Sequence, residues 1–538
     1  MKNISLLDCT LRDGGYVNDW DFGRETMICL FERLVNTGVD IIEVGFLDER
    51  RPFDINRSIQ PNTKCYNTIY KDCCKGNSLV FGMIDYGACG IENIDDKQDS
   101  FLDGIRIIFK KPNAHKAIEF GKQIMAKGYK VCYQMVSITS YTDRDMLDFV
   151  DEVNKANPFM VSIVDTYGLL HSQQLNHYFE LLDHNLSNSI KIGYHAHNNF
   201  QLAYSNCMSF LQKCTDRDIA IDGTVYGMGK SAGNAPIELL IMYLNKAYEK
   251  TYNIDQVLEA IDTIIIKIYR EHYWGYNLLF FLAASNDCHP EYIRYLIEKK
   301  TLPVQAINSI VKGIPEPYKL NYDKDCIEIL YKDYQSNISN NEINVEELRA
   351  KLKGQTVLVY GPGKSLKHNA DHVSNFVLEN KPVTISANFV YGDMPQDYIF
   401  VSNAKRYGMI LADMTKNRLR ARLIVTSNIK PKTSGCDYVL NYEDLRDEVD
   451  IISDNSLIML LKFLKNCEVS SVILAGFDGF SSKKSENYYS EYLDLSADYN
   501  RLLMVNAAIK KKIAYLRKEM DIRFLTPSLY EAKIMKKI

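Results

Sequence analysis

The chain has 538 residues, 46% hydrophobic and 25% charged, a balance that suits a soluble globular protein of two or more domains. Its 64 Lys and Arg against 68 Asp and Glu give a net charge of −4 spread along the sequence, which speaks against a nucleic-acid partner. No apolar run approaches the ~20 residues of a membrane helix, MKNISLLDCT lacks the features of a secretory leader, and 13 Cys without C-x-x-C spacing predict reduced thiols in a cytoplasmic protein.

Short β-branched runs alternate with longer stretches of helical period, the pattern of a parallel α/β architecture. Strands are predicted from Ile4 (ISLLDC), Asp40 (DIIEVGF), Leu79 (LVFGMID), Gly104 (GIRIIF), Lys130 (KVCYQMVS), Met160 (MVSIVDT), Lys191 (KIGYHAH) and Ile219 (IAIDGTV). Eight units of this size fit an N-terminal TIM (β/α)8 barrel over residues 1–240, although a doubly wound sheet gives a similar alternation. Residues 241–334 read as a helical extension whose aromatic turn at Tyr273, Trp274 and Tyr276 suits packing ahead of a ligand box, and residues 335–353 read as a linker. From Gly354 a second α/β pattern (TVLVYGPG, KPVTISANF, DYIFVSN, RLIVTSN, CDYVLNY, SVILAGFDGF) predicts a Rossmann-like domain over 354–538.

In a TIM barrel the reacting groups sit where strands end and the following loops begin. Asp8, Thr10, Arg12 and Asp13 follow the first strand, and Glu43 and Phe46 end the second. Asp165 and Thr166 end the sixth, His195, His197 and Asn198 the seventh, and GMGKSAGN after the eighth supplies Gly229, Lys230 and Asn234. Two residues apart on a strand, His195 and His197 point to one face. With a carboxylate and an amide oxygen from neighbouring strand ends they compose a mixed N/O site suited to Mn²⁺, Mg²⁺ or Zn²⁺. An isolated H-x-H is more often structural; its place opposite an R-D-G turn is what favours a metal. Thr166 is a candidate contact for a substrate carboxylate and equally a candidate for plain backbone bonding. Lys230 suits an anionic substrate group or a solvated surface charge.

The motifs DCTLRDGG, IEVGF, DTYG, GYHAHNN and GMGKSAGNAPIELL run in this order over roughly residues 4–320. Together they closely resemble the metal-dependent pyruvate aldolase and acyl-CoA lyase/synthase superfamily (HMG-CoA lyase-like, or DRE-TIM metallolyases). The resemblance implies Asp13, His195, His197 and Asn234 as metal ligands, with Mn²⁺ foremost and Mg²⁺, Co²⁺ or Zn²⁺ as other metals. It implies Arg12 over the substrate carbonyl oxygen and Glu43 holding that arginine in place. It is nearest to the 4-hydroxy-2-oxovalerate aldolases, because the loop after the eighth strand carries neither the Cys of the lyases nor the Glu of the synthases, which is Lys230 here. One position departs from those aldolases: their basic histidine is Tyr16. An ordinary tyrosine pKa of about 10 makes a poor base, so Tyr16 is expected to donate a hydrogen bond, with His171, His272, His289 or a bound water as the base.

In the second domain TVLVYGPGKSL matches neither a Walker A loop nor G-x-G-x-x-G. Its strand, glycine turn and helix still direct backbone N–H groups at an anion. The segment resembles, over a short stretch, the opening of sialyltransferase-like and pterin-pyrophosphokinase-like Rossmannoid domains. Gly361, Gly363, Ser365 and Asp478 are therefore candidate nucleotide-binding residues, with a purely structural glycine turn as the equal alternative.

The expectation for the whole is a divalent-metal-dependent aldolase that cleaves or forms a 4-hydroxy-2-oxoacid through a pyruvate enolate. Its partners would be a small-molecule 2-oxoacid and a second copy of the chain. By analogy alone, the fusion suits biosynthesis of a surface polysaccharide sugar. A Claisen-type acyl-CoA/2-oxoacid synthase and a non-catalytic barrel serving the C-terminal domain are the alternatives.

Overall fold

All eight expected strands form, and their apolar runs are buried on both faces, as parallel barrel strands require. They are β1 (Ile4–Asp8), β2 (Ile41–Leu47), β3 (Leu79–Asp85), β4 (Gly104–Phe109), β5 (Lys130–Met135), β6 (Met160–Asp165), β7 (Lys191–Ala196) and β8 (Ile219–Gly223). Each pairs in parallel with the next, and β8 pairs with β1, so the sheet closes into a barrel. The computed structural model describes residues 3–213, 215–299, 301–319, 322–336, 343–392, 394–429, 436–481, 483, 486–489 and 499–531.

Local sequence explains the helices between the strands. Arg24–Thr37 buries Met27, Leu30, Phe31 and Leu34, the i, i+3, i+4, i+7 stripe of an amphipathic helix. Asp143–Ala156 begins at a capping box: Thr142 accepts from the Asp145 N–H, and the Asp145 carboxylate accepts from the Thr142 N–H at 2.8 Å. The connection from β3 to β4 is made by 3-10 turns at Ile91–Asn93 and Lys97–Asp99. In β2 the register slips between Glu43 and Phe46. Gly45 lies in that bulge with φ +148, and any side chain there would overlap the Ser58 carbonyl, so the bulge depends on glycine.

Ile41, Phe81, Cys132, Met160 and Ala220 form an apolar plug inside the barrel. Two residues further along the same strands, and therefore on the same inward face, stand Glu43, Met83, Gln134, Ser162 and Asp222. Gly104 and Gly193 are likewise followed by Arg106 and His195. The barrel interior thus changes from apolar to polar toward the C-terminal ends of its strands, and this change positions the site.

The chain divides into two compact units, Met1–Pro290 and Glu291–Ile538. The segment expected as one helical extension is split by this boundary. Helices Val304–Lys312 and Lys324–Ser336 belong to the second unit, because their apolar faces pack within it. The expected linker contains the helix Val345–Leu352, which buries Val345, Leu348 and Leu352, while residues 337–342 lie outside the described residues.

The second unit is built on a seven-stranded, all-parallel sheet: β9 (Thr356–Tyr360), β10 (Val383–Ala387), β11 (Tyr398–Val401), β12 (Arg422–Thr426), β13 (Tyr438–Leu440), β14 (Ser471–Ala475) and β15 (Ile522–Phe524). Its order is β13-β12-β11-β10-β9-β14-β15, which reverses direction between β9 and β14. The first six correspond to the six predicted runs. The seventh is too short, at three residues, to show an alternation. Every cysteine among the described residues is a free thiol, and no helix among them is long and apolar enough to cross a membrane.

Candidate metal centre and active site

The polar layer above the plug is a continuous hydrogen-bonded network. Arg106, with none of its surface exposed, donates to Glu43 Oε2 at 3.1 Å, to Gln134 Oε1 at 2.9 Å and to Asp222 Oδ2. Gln134 passes a bond to Ser162 Oγ at 3.0 Å, and His195 Nδ1 donates to Asp222 Oδ2 at 3.0 Å. Arg12 enters from the turn after β1, donating from Nε to Glu43 Oε2 at 2.7 Å and from Nη1 to Asp13 Oδ1 at 2.6 Å. Glu43 therefore sits between two arginines. Sequence reasoning missed Arg106, Gln134 and Asp222; the signal was there, as polar residues at inward positions of otherwise apolar strands.

Asp13, His195 and His197 each bring one ligand atom within 4.8 Å of the others. Asn234 joins them from the glycine loop: its Nδ2 donates to Asp13 Oδ2 at 2.5 Å, and its backbone bridges to His197. His195 Nε2, His197 Nδ1 and Asn234 Oδ1 are buried and lack a hydrogen-bond partner among the described residues. Leaving such atoms unsatisfied costs about 1–3 kcal/mol each. Because His195 Nδ1 is committed to Asp222, its Nε2 keeps the lone pair that a metal needs. Two imidazole nitrogens, a carboxylate and an amide oxygen form the mixed donor set of a divalent cation. The surrounding charge agrees, since two buried guanidinium groups (Arg12, Arg106) face three buried carboxylates (Asp13, Glu43, Asp222). The residues present fit a divalent metal.

Burial pushes the Asp13 carboxyl upward, but Arg12, then the two histidines and the Asn234 hydrogen bond, outweigh it and hold Asp13 well below the usual carboxylate range. Burial carries His197 down to about 4, against the pull of Asp13, so the ring is neutral and ready to coordinate at physiological pH. The Tyr16 hydroxyl moves the other way. Burial and the charge of Asp13 raise it beyond the ordinary tyrosine value, which keeps it a donor. Its ring, 41% exposed, packs at the barrel mouth 4.7 Å from Trp20 and 6.0 Å from Phe46. Lys230 Nζ lies 5.2 Å over the same ring, and burial lowers its pKa, so this lysine belongs to the mouth of the site.

The Thr166 hydroxyl accepts from the Ser137 N–H at 2.7 Å, the backbone-bonding arrangement. His171 and His272 are exposed beside helix ends, and His289 is half-buried. Asp165 accepts the N–H groups of Leu169 and Leu170 at 2.9 and 3.1 Å. Asp8 accepts from the Thr10 N–H at 2.9 Å and the Thr10 hydroxyl at 2.7 Å, ordering the turn that presents Arg12 and Asp13.

Two predictions arise from these contacts. A Cβ on Gly229 would overlap Asn234 Nδ2 and sit 2.6 Å from Asp13 Oδ2. Gly229→Ala is therefore expected to weaken metal binding by roughly 10–100-fold, the scale of other ligand-positioning defects, as read by calorimetric titration of the metal-stripped protein. The second concerns Asp8, which burial raises to about 7. Its folded-state pKa lies above the unfolded value, so its contribution to stability is fully present below about pH 4 and is lost as pH rises through 7. In Asp8→Asn, which keeps an acceptor for the Thr10 N–H but turns an amide N–H toward the Thr10 hydroxyl and no longer titrates, the melting temperature of the metal-free protein should fall less between pH 6 and 8 than in the parent.

The nucleotide candidates of the second unit do come together, but on one another. Asp478 accepts from the Ser365 N–H at 2.8 Å and from the Ser365 hydroxyl. A Cβ at Gly361 would meet Phe477 at 2.8 Å, and one at Gly363 would meet the Asp478 carboxylate at 2.5 Å. These glycines permit close packing of the β9 and β14 turns, and a carboxylate fills the position that the glycine-turn reading gives to a phosphate.

Residues 106–264 match the HMGL-like family. The chain is 23% identical over 256 residues to the oxaloacetate decarboxylase of Mycobacterium tuberculosis, covering 47% of this chain and 74% of that protein. It is 26% identical over 257 residues to 2-isopropylmalate synthase 1 of Caldanaerobacter subterraneus, covering 46% of this chain and 62% of the synthase, so it spans less than two thirds of that relative. With the 4-hydroxy-2-oxovalerate aldolase of Bacillus thuringiensis it shares 21% identity over 273 residues, covering 49% of this chain and 76% of the aldolase. The stretch that matches the HMGL-like family runs from Arg106 on β4 through β8 and past His195, His197 and Asn234, so it takes in five of the eight barrel strands and three of the four candidate ligands.

Proposed function

We propose that the barrel is a divalent-metal-dependent carbon–carbon lyase that releases pyruvate from a 4-hydroxy-2-oxoacid, or joins pyruvate to an aldehyde in reverse. The observation that carries this reading is the convergence of Asp13 and three orphaned donor atoms on His195, His197 and Asn234, beside an arginine clamped by Glu43. Held by these residues, a divalent cation, Mn²⁺ foremost, would supply Lewis acidity to the developing enolate. Arg12 does the remaining electrostatic work. With Nε on Glu43 and Nη1 on Asp13, its Nη2 is left for the oxygen on which enolate charge develops. Lys230 and the aromatic mouth of Tyr16, Trp20 and Phe46 receive the aldehyde-bearing end of the substrate.

Tyr16 favours a second reading. Aldol cleavage needs a base for the C4 hydroxyl, and the raised Tyr16 hydroxyl is a donor. Loss of CO2 from a 2-oxo diacid such as oxaloacetate passes through the same pyruvate enolate and needs no such base. The deciding experiment gives the metal-stripped full chain 4-hydroxy-2-oxoacids and oxaloacetate in parallel, with and without Mn²⁺, and follows pyruvate. Metal-dependent pyruvate from the hydroxy-oxoacids, lost in His195→Ala, supports the aldolase. Pyruvate from oxaloacetate alone supports the decarboxylase. Pyruvate from neither defeats both readings.

A further inference from the structure

The second unit contains a cavity of about 850 Å³ whose lining residues all fall between Glu298 and Tyr530. It lies where Pro362 follows β9, Asn388 follows β10, Asn403 follows β11 and Phe477 follows β14. These are the C-terminal ends of four parallel strands, and β9 and β14 flank the point at which the strand order reverses. Chains leaving two such neighbours diverge to opposite faces of the sheet and open a crevice that ligands occupy. The volume lies in the upper part of the usual range of about 300–1,000 Å³ for small-molecule sites and admits a molecule of nucleotide size.

Three kinds of side chain line this cavity. Phe477, Phe480 and Tyr488 offer aromatic surface, the latter two with ring centroids 6.3 Å apart. Lys299, Arg406 and Arg501 bring positive charge, with Lys299 3.9 Å from Asp450 and Arg501 3.7 Å from Glu298; Arg406 is only 8% exposed and stands in the first turn of the helix Ala404–Lys416. Asp450, Asp454 and Asn455 add acceptors suited to hydroxyl groups, and Asp454 already accepts two, from Tyr331 at 2.7 Å and from Tyr442. A planar ring, an anion and a polyol are the chemical partners of these three sets. The glycine turn cannot take the anion, since the Asp478 carboxylate lies on Ser365 there. The anion therefore belongs on the wall that carries Arg406.

We propose that this cavity binds a nucleoside phosphate, its base against Phe480 and Tyr488, its phosphate toward Arg406 and Lys299, and its ribose toward Asp450 and Asn455. Its lining comes from the second unit alone, and its test does not depend on the lyase reading. Calorimetric titration of the full chain would use uridine and adenosine 5′-monophosphates, with uridine and inorganic phosphate as single-moiety probes. At least one nucleotide should bind one to one, and more tightly than either fragment. Phe480→Ala and Arg406→Gln should each weaken binding at least ~10-fold, a loss of about 1.4 kcal/mol, while both variants keep the parent's far-ultraviolet circular dichroism and cooperative thermal unfolding as a check on folding. Asp13→Ala should leave nucleotide binding unchanged. No binding at millimolar nucleotide, equal affinity for inorganic phosphate alone, or indifference to Phe480→Ala would overturn the proposal.

Discussion

Arg106→Met is expected to cost about 3–5 kcal/mol of folding stability, the loss typical of removing one partner from a buried charge network. Arg106 is wholly buried and serves two carboxylates, Glu43 and Asp222, together with the Gln134 amide oxygen. Methionine fills much of the volume but leaves those carboxylates in a low-dielectric interior without their shared cation. The residual desolvation cost is what destabilises, not the absence of the ion pairs as such. Denaturant unfolding of the metal-free protein measures the loss, and Arg106→Met combined with Glu43→Gln should recover part of it. The substitution also releases Asp222, which fixes the tautomer of His195, so metal affinity should fall along with stability. A loss below ~1 kcal/mol would mean that water or rearrangement satisfies the carboxylates, and the network would then not be the support of the site.

Arg12→Lys is expected to lower the rate of metal-dependent pyruvate formation by about 10²–10³-fold, the effect of deleting one preorganised donor to a developing oxyanion. Lysine keeps the charge but cannot span Glu43 and Asp13 with a planar fork. Affinity for the metal should change little, because Arg12 is not among the donor atoms. The combination to look for is retained metal binding with collapsed turnover. A variant that loses metal but turns over normally once saturated would assign Arg12 to holding Asp13 and remove it from the chemistry.

Eight strand starts and a parallel α/β pattern are legible in the chain; periodicity alone leaves a barrel beside a doubly wound sheet, and the family resemblance is what favours the barrel. Short β-branched runs and helical stripes of period 3.6 are local properties, so eight strand starts could be read off the chain. His195 and His197 share a face for the same local reason. Their meeting with Asp13 follows once the barrel closes, because strand ends are brought to one rim.

Which group answers which charge follows from closure of the barrel and not from local pattern. Arg106 meets Glu43 across 63 residues and Asp222 across 116, and Asn234 meets Asp13 across 221. Such pairings leave no periodicity in the chain; they are set by barrel closure and enforced by the cost of burying an unpaired charge. The same logic separates turn from ligand site in the second unit. Gly361, Gly363 and Ser365 carry the local look of an anion cradle, but Asp478, 113 residues beyond Ser365, folds onto it and supplies the negative charge from within.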